Sequence, residues 1–259
     1  MSISSQLVMG IAVGFIAFQN VLAENIQVIS ERTPFTSSEE TTVGGGEATV
    51  FVRQLLDVAN VDYEFSYQPW KRAYNFALRE RNILIYPLAR SQQREDLFIW
   101  VGELIPVNYY LVKLKSRNDI VVEKLSDAKN YRIGIVNFHV THEYLTQNDF
   151  RDLQPVNSNL QNLRKAQLNR IDLFPISDGG LLQLCKRHKL DCDQFEPVVK
   201  LSAISDGLYL AFSKNTDKTV LEQLDKGFKQ MVTSGAHKDI FKSRLADIEL
   251  YNEIWSKLP

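Results

Sequence analysis

Residues 69–103 read PWKRAYNFALRERNILIYPLARSQQREDLFIWVGE, and the fold turns on this stretch. Ile83-Leu84-Ile85-Tyr86 is a short apolar run rich in β-formers and flanked by polar residues, which predicts a buried strand. Its carboxyl end delivers Leu88 to Arg94, with arginines and two tryptophans gathered around it. In open α/β sheets, ligands sit beyond the carboxyl ends of the strands, so this stretch predicts half of a binding site.

Working outward, strand-like and helical runs alternate. Ile26 to Ser30, a helix from Glu47 to Ala59, Tyr63 to Tyr67, a helix from Lys71 to Arg79 and Ile83 to Tyr86 together form a βαβαβ start. The helix at Glu47 places Val50, Phe51, Leu55, Val58 and Ala59 on one apolar face. Gly44-Gly45-Gly46 precedes it, but without the lysine and hydroxyl residue of a phosphate-binding loop it reads as a plain connection. Further on come strands at Tyr109 to Leu114, Tyr131 to Val136, Ile171 to Pro175, Pro197 to Leu201 and Gly207 to Phe212. Helical patterns cover Leu160 to Leu168, Gly179 to Lys189, Asp217 to Ser234 and His237 to Leu245.

Leu7 to Phe18 is an uncharged apolar core followed by Gln19-Asn20 and then Val21-Leu22-Ala23, a small-residue cleavage pattern. Residues 1–23 are therefore expected to be a signal peptide, although no Lys or Arg precedes Arg32. The core is shorter than the roughly 20 residues that a membrane span needs. The remainder suffices for one large core or two modest lobes. Lys+Arg 30 against Asp+Glu 31 gives no basic excess, so nucleic acid and anionic membrane surfaces are not indicated as partners, and a small solute is.

Cys185 and Cys192 follow each other closely at the end of a helical segment, and in an oxidising compartment they are expected to pair as a local staple. A redox switch is the alternative, but C-x-x-C spacing is absent. His139, His142 and Glu143 fall in an order that matches no zinc-protease pattern, and no metal or other cofactor is expected.

The order of elements resembles the periplasmic type II solute-binding proteins, in particular the amino-acid-binding branch called family 3. The resemblance is carried by Arg32-Thr33-Pro34-Phe35 after the first strand, the Leu88-to-Arg94 turn leading to Phe98-Ile99-Trp100, the Arg132-Ile133-Gly134-Ile135 strand, and Leu208 to Lys214 followed by a helix pair. Pro69-Trp70-Lys71-Arg72-Ala73 and Arg94-Glu95-Asp96 are similar to a proteobacterial subgroup. The resemblance implies a two-lobed α/β fold, with residues 24–108 and 210–259 forming one lobe and 109–209 inserted as the second. It also implies a periplasmic monomer whose ligand sits in the interlobe cleft, partnered by an ABC permease or a membrane sensor.

On this resemblance Arg94 occupies the place of the arginine that forks onto a ligand carboxylate; the alternative is an arginine paired with Glu95 or Asp96. Arg90 is a second candidate, and Ala89 stands where a hydroxyl contact is usual. Phe35 belongs to the same set of ligand candidates. Trp70 could stack on a ligand or cap the core, and Arg72 could bind an anion or be solvated. Asn137 to Thr141 would open a helix whose N–H groups, with the Thr141 hydroxyl, meet a carboxylate. Asp178, one residue out of register with Ser177, is the candidate for a ligand ammonium or else a helix cap. An enzyme on the same fold, similar to a cyclohexadienyl dehydratase, would need a proton-transfer group, for which Glu31, Asp178 and Glu103 are the acidic candidates.

Overall fold

In the computed structural model the chain is described over residues 25–33, 35–37, 45–204 and 207–255, with side chains described to residue 249. The expected signal peptide and Gly44 lie outside the described residues.

β1 (Ile26–Ser30) is buried at every position except Gln27, as expected of a strand with partners on both edges and helices on its faces. It pairs in parallel with β2 (Tyr63–Tyr67) and with β3 (Ile83–Ala89). Parallel neighbours need crossover connections, which α1 (Glu47–Ala59) and α2 (Trp70–Arg79) supply. α1 buries Phe51, Val52, Leu55 and Leu56 and stops at Asn60, a residue type that tolerates the left-handed φ of 52° found there. β4 (Phe98–Pro106) and β10 (Gly207–Ser213) complete a five-stranded sheet of order β2-β1-β3-β10-β4, in which β10 runs antiparallel to both neighbours. α6 (Lys218–Thr233) and α7 (Ala236–Trp255) pack on this lobe. The Phe228 ring of α6 lies so close to β4 that a Cβ on Gly102 would stand 2.3 Å from its Cζ.

The inserted part has its own sheet. β5 (Tyr109–Leu114) runs antiparallel between β8 (Phe174–Ser177) and β9 (Phe195–Lys200), while β6 (Ile133–Val136) runs parallel to β7 (Leu153–Val156). A bridge between Ile133 and Leu173 joins the two pieces. α3 (Val140–Gln147), α4 (Asn159–Gln167) and α5 (Asp178–His188) cover this sheet. Separate apolar clusters underlie the lobes, one around Phe51, Leu55, Phe212 and Phe241, another around Leu111, Ile133, Ile135 and Leu173. Cys185 and Cys192 are disulfide-bonded, tying the end of α5 to the turn before β9.

Several boundaries differ from expectation, four of them for reasons visible in the packing. β3 continues past Tyr86 because β10 supplies partners for Leu88 and Ala89. β8 begins at Phe174 rather than Ile171, since the Asp172 and Leu173 amides donate instead to the Arg132 carbonyl. β10 joins the first sheet from Gly207, ahead of the return point expected at 210. α7 runs beyond Leu245 because Ile248 is buried and Asp247 is paired with α5.

Candidate interlobe solute site

The parallel strands β1 and β3 of the first sheet, and β6, which runs parallel to β7 in the inserted lobe, end at the space between the lobes, and their ends and the segments that follow supply its walls. A cavity of about 420 Å³ lies there. The first lobe contributes Glu31, Phe35, Trp70, Ala89 and Arg94, and the second contributes Tyr109, His139, Ser177 and Asp178. This is the position that strand direction favours for a ligand in an open α/β sheet.

After β3 the chain turns at Ser91, whose carbonyl accepts from the Arg94 amide at 3.0 Å, and this turn sends the Arg94 side chain inward. Arg94 is only 1 % exposed, with its guanidinium carbon 4.8 Å from the Tyr74 ring centre and 5.9 Å from that of Trp70. A buried guanidinium needs acceptors on its fork. Here Nε and Nη2 donate to the two carboxylate oxygens of Glu143, each at 2.9 Å. Nη2 also donates to the Phe138 carbonyl at 3.0 Å. The same carbonyl accepts from Trp70 Nε1 at 2.8 Å. Phe138 has a φ of 61°, a left-handed conformation that is costly for a bulky residue and that accompanies the turning of its carbonyl toward the first lobe.

Burial sets the protonation pattern. The Glu31 carboxyl is pushed up to about 7 by burial, partly offset by the Trp70 backbone amide. Asp178 is also raised by burial, against the opposing hydrogen bond from the Gly179 amide. His139 is pulled down to about 3, first by burial and then by Arg94 and His142, so its imidazole is neutral at pH 7. Tyr109, beside it at 5.6 Å between ring centres, is raised by burial.

Arg94, Trp70, Phe35 and Asp178 are brought together around the cavity, and Ser177 joins them. Both residues of the expected register pair line the cavity, and the Ser177 hydroxyl caps α5 by accepting from the Gly180 amide at 3.2 Å. Asp178 Oδ2 accepts from Asn108 Nδ2 at 3.1 Å, tying the inserted lobe to the crossing segment. Arg94 is not paired with Glu95 or Asp96; Arg90 takes Glu95 instead, through Nε at 2.8 Å, on a side chain that is 40 % exposed. Arg72 is exposed and lines a different groove with Asn157. Thr141 is buried behind the cavity with its hydroxyl 2.9 Å from His139 Nδ1, and the Asn137 amide donates to the Val156 carbonyl. Glu103 is exposed and accepts from the Tyr209 hydroxyl at 3.3 Å. Glu143 and the Phe138 carbonyl were not anticipated: nothing local in sequence links Arg94 to a carboxylate 49 positions away.

The sequence matches no protein-family profile and no curated protein. Solved structures do match. A histidine kinase sensor domain with similarity to periplasmic binding proteins aligns with TM-score 0.75 at 15% identity, over 85% of this chain and 95% of its own. An ancestral arginine-binding protein bound to arginine aligns with TM-score 0.71 at 14% identity, over 85% of this chain and 97% of its own. The arginine-, lysine-, histidine-binding protein from Geobacillus stearothermophilus gives TM-score 0.71 at 12% identity, over 85% of this chain and 94% of its own. The two-lobed fold is thus that of periplasmic binding proteins.

Proposed function

We propose that this chain captures a small polar solute in the interlobe cleft, in the periplasm, and presents the occupied form to a membrane partner, either an ABC-type permease or a sensor. The observation that carries the reading is the cavity at the ends of β1, β3 and β6, walled by side chains from both lobes. A ligand touching both lobes binds the closed arrangement better and shifts the population toward it. The fold shared with arginine-binding proteins and with a kinase sensor domain supports both outlets.

Within the cavity Trp70 and Tyr109 offer aromatic surface, Glu31 and Asp178 offer acceptors, and Arg94 is the buried cation. An amino-acid-like solute would place its ammonium toward Asp178 and its carboxylate toward Arg94. The test is calorimetric titration with amino acids, dicarboxylates and aromatic acids. A solute that binds the native protein should be lost on Trp70→Ala and retained on Arg72→Ala, since only the former lines the cavity. Equal loss in both variants would remove the cleft from the account.

A second reading, a lyase acting on prephenate-like acids, is favoured by one observation. Glu31, pushed up to about 7 inside the cavity, is poised to exchange a proton at neutral pH. Turnover of such an acid that disappears in Glu31→Gln would establish it.

A further inference from the structure

The Arg94 fork is already occupied by the protein itself. Nε and Nη2 meet Glu143 at 2.9 Å each, Nη2 meets the Phe138 carbonyl, and Nη1 donates to the Ala89 carbonyl at 3.4 Å, so most of the donors on this nearly inaccessible side chain are engaged. Two parallel bonds between a guanidinium and a carboxylate make the arrangement that a solute carboxylate would otherwise claim. Arg94 follows β3 in the first lobe, whereas Glu143 lies on α3 in the second, so the pair spans the cleft.

Other contacts cross at the same place. Trp70 Nε1 donates to the Phe138 carbonyl at 2.8 Å, Gln93 Nε2 donates to Gln147 Oε1 at 2.6 Å, and Lys71 Nζ stands 4.7 Å from the Phe138 ring centre. Across the cavity, Asp247 on α7 accepts from Gln183 Nε2 on α5 at 3.0 Å. Contacts within the chain therefore bind the lobes together on two sides.

We propose that Glu143 is a built-in carboxylate latch: it holds the cleft closed through Arg94 without any solute, and a carboxylate-bearing solute reaches Arg94 only by displacing it. A tethered carboxylate competes at an effective concentration in the millimolar range or above, so the latch selects against carboxylates that bind weakly. Solutes that leave the pair intact face no such competition. The selectivity half of this proposal rests on the solute-capture reading, and the latch does not.

Two measurements separate them. Small-angle scattering of the unliganded protein should show a larger radius of gyration for Glu143→Ala than for the native chain. An unchanged radius would overturn the latch. Glu143 is 25% exposed, so its truncation opens no core cavity, and Glu143→Gln serves as the shape-conserving version should the alanine variant misfold. Calorimetry then compares L-arginine with agmatine and L-lysine with cadaverine, pairs in which only the first member carries a carboxylate. Removing Glu143 should strengthen binding of the α-carboxylate member by about tenfold or more, the scale of a hydrogen bond to a charged group, and leave its counterpart unchanged. Equal changes in both members would overturn the selectivity. If no probe binds either protein while Glu143→Ala expands, the latch stands and the solute-capture reading falls.

Discussion

Glu31 holds a carboxyl in the cavity wall whose folded-state value, about 7, lies above the ordinary 4.5. Between those values the folded protein binds more protons than the unfolded chain, so this group's contribution to stability is full below about pH 4.5 and is lost as pH rises through 7. Glu31→Gln should therefore match the native protein near pH 5 and exceed it at pH 8 by up to about 3 kcal/mol, as read from urea unfolding at the two values. His139 works in the opposite sense: its depressed value means stability is lost as pH falls below the ordinary 6.5, and this loss is common to both proteins. Trp70→Phe keeps an aromatic face, trims the indole to a smaller ring and removes the Nε1 bond to Phe138. It should lower stability by about 1 kcal/mol, and a loss beyond 3 kcal/mol would mean that packing rather than the hydrogen bond governs the position. Trp70 and Arg94 were legible because aromatic and guanidinium groups beyond a strand end are a local signal. Glu143 was not, because only the closure of two lobes brings α3 against the turn after β3.

At the scale of elements, the disulfide between Cys185 and Cys192 closes a loop with a sequence separation of 7 and anchors the end of α5. Replacing both with serine should cost roughly 2.5 kcal/mol in the chain-entropy account, read as a lower urea midpoint that reducing agent no longer alters. Retention of the full midpoint would show that the turn at Asp191 to Asp193 holds without the bond. Helices and strands with clear periodicity, such as α1, β2 and β5, were legible to their ends. Those whose limits depend on distant partners were not. β3 extends because β10 pairs with Leu88 and Ala89, and α7 extends because α5 receives Asp247. Ile171 to Pro175 looked like a strand from its apolar residues. Its first part instead makes a bridge to Ile133 through Leu173, and the ladder to β5 begins only at Phe174.

At the scale of the whole molecule, two lobes with separate cores meet across a cavity whose walls come from both, and in the proposed function a solute held there would govern closure. The two-lobed plan was implied by the family resemblance that the order of elements carries, while the chemistry of the cavity was not legible, because it depends on which groups remain available once the lobes close. Arg94 illustrates the difference: its residue type pointed to a carboxylate, and its fork meets one supplied by the chain. The most direct test of solute capture is the melting temperature of the protein against amino acids, dicarboxylates, aromatic acids and amines. At about 100 times its dissociation constant a captured solute should add roughly 2.7 kcal/mol and raise the melting temperature of the native protein but not of Trp70→Ala. No shift with any of these solutes, or the same shift in both proteins, would contradict capture in this cleft.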